Sequence, residues 1–155
     1  MTTMADEQVA QTTQVYAVFI RATQEQVWDG ITKPEFTQRY FYGSLIESNY
    51  ERGSAYSGWS SDHTQLLVEG EVLEVDRPRK LVTTWRAIYD PDTAAEPHSR
   101  VTWELEPASD NVTKLTVVHD RLESSPKTAL SVAGGWSYVL SGLKTLLETG
   151  EPLAG

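Results

Sequence analysis

Gly134-Gly135-Trp136-Ser137-Tyr138-Val139-Leu140-Ser141-Gly142-Leu143-Lys144-Thr145-Leu146-Leu147-Glu148-Thr149-Gly150 is the stretch that sets the architecture of this chain. Trp136, Val139, Leu140, Leu143, Leu146 and Leu147 repeat at the three-and-four spacing of one helical face. Ser137, Ser141, Lys144 and Glu148 take the other face. Gly150 and then Pro152 stop the helix, as a C-terminal glycine and a following proline should. One long amphipathic helix therefore closes a chain that otherwise reads mainly as strands. Its apolar stripe must be buried against a sheet. How completely that sheet fills the space decides between a solid core and a ligand pocket.

Upstream, Val15 to Arg21 is β-branched and aromatic, a first strand. Thr23 opens a capping box with Gln26, which predicts a helix over about Gln24 to Thr32. Pro34 suits the first turn of a second short helix, running to about Tyr40. After Gly43 the apolar period changes to two. Strands are expected over Ser44–Asn49, Ser54–Ser60, Gln65–Val75, Lys80–Tyr89, Ser99–Glu106 and Val112–Leu122. Gly70 inside the third of these suggests a bulge or bend. Asp90 to His98 reads as a loop and Pro107 to Asn111 as a turn. Short connections mean an antiparallel sheet, and helices gathered on one side of it make an α+β domain.

Alternation assigns the face that meets the helix. Leu115, Val117 and His119 share it, as do Val101, Trp103 and Leu105, and Leu81, Thr83, Trp85, Ala87 and Tyr89. That face is rich in large rings: Trp85, Tyr89 and Trp103, joined by Trp59 and by Trp136 from the helix. Two readings are open. The rings fill a core, as aromatic residues generally do, or several of them wall a cavity. In the second reading Leu140 and Leu143 add helix contacts. Thr83, His119, Ser137 and Ser141 then supply the scattered polar groups of an otherwise apolar pocket.

Composition narrows the function. The chain has 155 residues and no cysteine, with 13 basic against 22 acidic residues and a net charge of -9. A chain of this size buries roughly 70% of its unfolded surface and needs no metal or disulfide to fold. Cysteine chemistry and thiolate metal sites are excluded. The acidic balance opposes nucleic acid and anionic membrane surfaces. Residues 1–14 are polar, lack the pattern of a signal peptide, and read as a loose arm ahead of a single domain over residues 15–152. No apolar run approaches the ~20 residues of a membrane span. A soluble, cytoplasmic protein without stable membrane insertion is expected. Oligomeric state stays open, with a homodimer common for small domains.

The titratable residues give no strong motif. His63 and His98 fall in turns without metal-ligand spacing, so no metal or other cofactor is expected. His119 has inward parity. It is either a hydrogen-bonded core histidine or a polar contact for a ligand, or a proton carrier. Glu69 and Glu71 share a strand face and read as solvated, since close carboxylates repel unless one is protonated. Gly134-Gly135 offers packing space for Trp136 or backbone donors for an anion.

Several segments together resemble one family. Phe19–Trp28, Ile31–Thr37, Gly70–Leu81 with Thr84-Trp85, Leu115–Asp120, and Gly135-Trp136 through Leu143–Gly150 are similar to bacterial proteins like the activator of heat-shock protein 90 ATPase. These belong to the START-like (SRPBCC) superfamily. The likeness spans about Val15 to Pro152. It implies a helix-grip fold: a curved antiparallel sheet of six or seven strands around the long C-terminal helix. It also implies a cavity for lipids, polyketides or flavonoid-like compounds. No catalytic motif is carried over, so no catalytic residue is assigned. The expected function is binding of an apolar small molecule, with Trp59, Trp85, Tyr89, Trp103, His119, Trp136, Leu140 and Leu143 as candidate contacts. The alternatives are a protein-interaction or co-chaperone-like domain, and a small cyclase, dehydratase or hydrolase that uses His119 or a tyrosine.

Overall fold

The computed structural model describes residues 11–154. Most of the expected N-terminal arm, residues 1–10, lies outside the described residues, and Gln14 at its end already belongs to the first strand. The elements run β1 (Gln14–Ile20), α1 (Gln24–Thr32), α2 (Pro34–Tyr40), β2 (Leu45–Ser48), β3 (Ala55–Trp59), β4 (Leu66–Asp76) and β5 (Lys80–Ala87). They continue with α3 (Pro91–Ala94), β6 (Ser99–Ser109), β7 (Val112–Asp120), α4 (Pro126–Val132) and α5 (Gly135–Thr149). All seven strands form one sheet in the order β1-β7-β6-β5-β4-β3-β2, and every neighbouring pair is antiparallel. The sheet curves around α5. This is the α+β helix-grip architecture.

Local chemistry explains the element starts. Thr23 Oγ1 accepts from the Gln26 amide at 3.1 Å and Gln26 Oε1 accepts from the Thr23 amide at 2.9 Å, the reciprocal capping box that begins α1. Pro34 occupies the first turn of α2, where its missing N–H costs nothing. The stripe of α5 is buried as its spacing requires: Trp136, Val139, Leu140, Leu143 and Leu146 all face the sheet. Leu143 is 0% exposed, a burial that stabilises by roughly 1.5–3 kcal/mol. The other face also guards a sheet edge. Lys144 Nζ donates to the Phe19 carbonyl at 2.7 Å, and Glu148 accepts from the Arg21 amide at 2.7 Å. The rim of β1 is thereby shielded from strand addition.

Three expectations need correction, and one short helix adds to the elements expected. β5 ends at Ala87, because Asp90 caps α3 and Thr93 Oγ1 donates to the Ala87 carbonyl at 2.8 Å. Tyr89 therefore leaves the strand and is 53% exposed. The β6–β7 hairpin runs on through Pro107, which a register shift accommodates, so the turn is shorter than read. A separate short helix, α4, precedes α5. Ser137 and Ser141 lie on the exposed face of α5 and contribute nothing to the interior.

Candidate functional site

A cavity of about 500 Å³ opens between the first half of α5 and the sheet. Gly135, Trp136 and Val139 come from α5, and Ser131 with Val132 from α4. The chain leaving α2 supplies Phe41, Tyr42 and Ser44. Leu67 and Val68 come from the start of β4 with Gln65 just before it, Trp85 comes from β5, and Tyr89 from the segment between β5 and α3. The parity of β5 turns Trp85 inward. Tyr42 is held with a positive φ of 53°, a conformation uncommon for a bulky non-glycine residue. Its ring stacks on Tyr138 at 5.4 Å and 21°.

Trp136 is the hub of the wall. Its ring meets Phe41 edge-on at 5.8 Å and 85°, and Trp85 at 5.8 Å and 53°. Trp103 packs edge-on against it at 5.5 Å. Its indole N–H donates to His119 Nδ1 at 3.1 Å. An indole nitrogen is only a donor, so Nδ1 carries no proton. The proton of the neutral ring therefore sits on Nε2, which donates to Ser99 Oγ at 2.7 Å. Ser99 passes its own hydrogen to the Trp85 carbonyl at 3.2 Å. In this relay from the Trp136 indole to the Trp85 carbonyl both His119 nitrogens and the Ser99 hydroxyl are engaged, and neither nitrogen is free for chemistry. Burial pushes the His119 imidazole down to about 4, which keeps it neutral near pH 7.

This directionality disposes of an apparent Ser–His pair. A serine nucleophile needs an unprotonated nitrogen facing its hydroxyl; here Ser99 faces the protonated one. The buried tyrosines offer no base either. Desolvation raises the Tyr40, Tyr50 and Tyr56 phenols, and neighbouring phenols add to the effect at Tyr40 and Tyr50. Glu69 is bound by Arg86 at 2.7 Å and by His98 at 2.9 Å rather than paired with Glu71. His63 hydrogen-bonds Glu47 at 2.9 Å and stacks on Trp59 at 4.4 Å. Among the described residues no group of His, Asp and Glu is arranged to hold a metal ion.

Of the candidate contacts, Trp85, Tyr89 and Trp136 line the cavity. Trp103 and His119 touch Trp136 from within the core, where they are 1% and 0% exposed. Leu140 and Leu143 are buried, and Trp59 packs with His63; none of these three is part of the lining. Sequence reasoning missed Phe41, Tyr42, Val132 and Val139. The aromatic triplet Tyr40-Phe41-Tyr42 at a helix end, just before a glycine, was the signal available for two of them.

Residues 21–148 match the family described as Activator of Hsp90 ATPase homolog 1-like protein. The fold is similar to that of CalU16 from Micromonospora echinospora, at 19% identity over 92% of this chain and 84% of that one, TM-score 0.69. It is similar to an HSP90 activator from Plasmodium falciparum, at 23% identity over 92% and 99% of the two chains, TM-score 0.70. The Aha1 dimer from Colwellia psychrerythraea is 14% identical over 90% and 98%, also at TM-score 0.70. No curated protein is a significant sequence match. At these identities the structural neighbours establish the fold. No helix among the described residues is long and apolar enough to cross a membrane.

Proposed function

Because the chain belongs to the family of Activator of Hsp90 ATPase homolog 1-like proteins, we propose that it binds an apolar small molecule between its sheet and its C-terminal helix. One observation carries this reading: a cavity of about 500 Å³ walled by Phe41, Trp85, Tyr89 and Trp136. Small-molecule sites measure roughly 300–1,000 Å³ and are mostly apolar with a few polar groups. Burying one flat ring there yields roughly 2–3 kcal/mol. A multi-ring guest therefore reaches about micromolar affinity. Trp85, Tyr89 and Trp136 are the contacts assigned to the guest, with Trp103 and His119 acting through Trp136. Turnover forms no part of this reading, because the His119 chain has no free base.

Intrinsic tryptophan fluorescence tests it, since two of the five tryptophans sit in the wall. A panel of flavonoids and lipids is expected to contain compounds that quench the emission and raise Tm. A panel with neither effect would defeat the proposal. Contact with a chaperone is the competing reading and draws on the family's name alone. It predicts capture of a chaperone from lysate by a protein that responds to no member of the panel.

A further inference from the structure

We infer that the cavity selects an uncharged, flat, fused-ring guest and turns away anionic ones, fatty-acid carboxylates included; this rests on the binding reading above. No Asp, Glu, Lys, Arg or His is among the residues that line it. Its polar side-chain groups are the two tyrosine hydroxyls, the indole N–H groups of Trp85 and Trp136, and Ser44, Gln65 and Ser131, all neutral; the Trp136 N–H is taken by His119, and the Trp85 N–H has no partner among the described residues. These groups can donate to or accept from a hydroxyl or carbonyl, but they cannot neutralise a charge.

An ionised group carried into this space loses its water and gains no counter-ion, which is heavily unfavourable. The nearest cation in sequence to the wall residue Trp85 is Arg86. It alternates to the opposite face of β5 and is committed to Glu69 at 2.7 Å and to the Ala94 carbonyl at 3.3 Å. The net charge of -9 further lowers the local concentration of anions. Flatness follows from the rings. Phe41, Trp85 and Trp136 lie 5.8–6.3 Å apart at mutual inclinations of 33°, 53° and 85°. A planar guest can therefore meet one ring face-on and another edge-on, the two arrangements aromatic quadrupoles favour. A flexible acyl chain gains neither and loses more entropy on ordering.

The test uses the intact chain and three matched probes: naphthalene-2,6-diol, naphthalene-2,6-dicarboxylate and 2,6-bis(aminomethyl)naphthalene. Substituents at opposite ends ensure that one enters the cavity whichever way the ring system inserts. By calorimetry at pH 7 the diol is expected to bind at least about tenfold more tightly than either ion. Equal binding of the dianion or the dication would overturn the inference, as would tight binding of a fatty-acid carboxylate when the diol is silent. Silence of all three probes together with the flavonoid and lipid panel would instead defeat the binding reading itself. Val132→Lys, which adds an ammonium to the wall, should raise dicarboxylate affinity relative to the diol at least about tenfold. An unchanged preference in that folded variant would also count against charge selection.

Discussion

His119 shows how one side chain can be chemically suggestive and structurally committed. Its Nδ1 accepts from Trp136, its Nε2 serves Ser99, and it is 0% exposed. The folded ring titrates at about 4, against an ordinary value of 6.5. Between these two values the unfolded chain binds the proton and the folded one does not. Stability is therefore complete above about pH 6.5 and falls as the pH drops toward 4, where the folded ring also protonates. The loss amounts to roughly 3 kcal/mol across that window. Urea titrations at pH 7 and pH 4.5 read it directly. His119→Gln can still accept from the indole and donate to Ser99, so it should fold and lose most of this pH slope. A slope that persists in the variant would belong to other groups. His119→Ala leaves the buried indole N–H without an acceptor, takes from the Ser99 oxygen its donor and opens a void, at a cost of about 2–4 kcal/mol.

Among the elements, backbone contacts decide more than composition. Gly70 in β4 lies so close to β5 that an added Cβ would stand 2.0 Å from the Thr84 carbonyl oxygen. Nothing at that spot can yield except the backbone of a paired strand. Gly70→Ala is therefore expected to lose roughly 2–4 kcal/mol in denaturant unfolding; a neutral result would mean that the two strands separate without penalty. The glycine was readable as a bend from its place inside an apolar run. The long helix was readable for a similar reason, since fifteen residues give the apolar spacing several turns in which to declare itself. The four residues of α3 allow no periodicity at all. Asp90-Pro91-Asp92-Thr93 has the composition of a loop, and its single helical turn rests on the Asp90 and Thr93 side-chain bonds and on the Ala94 and Ala95 amides bonding back to Asp90 and Pro91. That hidden helix is what turns Tyr89 from a strand residue into a rim residue. Pro107 misled in the opposite sense, since a proline reads as a turn and here a bulge absorbs it within β6.

For the molecule as a whole, parity identified the inner face of the sheet but not which part of that face stays uncovered. Trp85 and Trp103 both point inward from adjacent strands, yet one walls the cavity and the other is sealed in the core. The difference lies in where α2, α4 and α5 lie across the sheet, a tertiary placement that no local pattern encodes. The same placement makes the cavity testable as a retained feature rather than a packing fault. Val132 on α4 is half-buried and lines the space. Val132→Phe would project a ring into it and bury further apolar area worth about 1–2 kcal/mol. In a chain of this size that corresponds to a rise in Tm of roughly 3–6 °C. If the vacancy serves a guest, the same variant should lose the fluorescence response to any compound that quenches the parent protein. Stability gained and binding lost in one substitution is the pattern of a site held open against the packing optimum. A variant that gains the stability and keeps the parent affinity would place the guest elsewhere on the molecule.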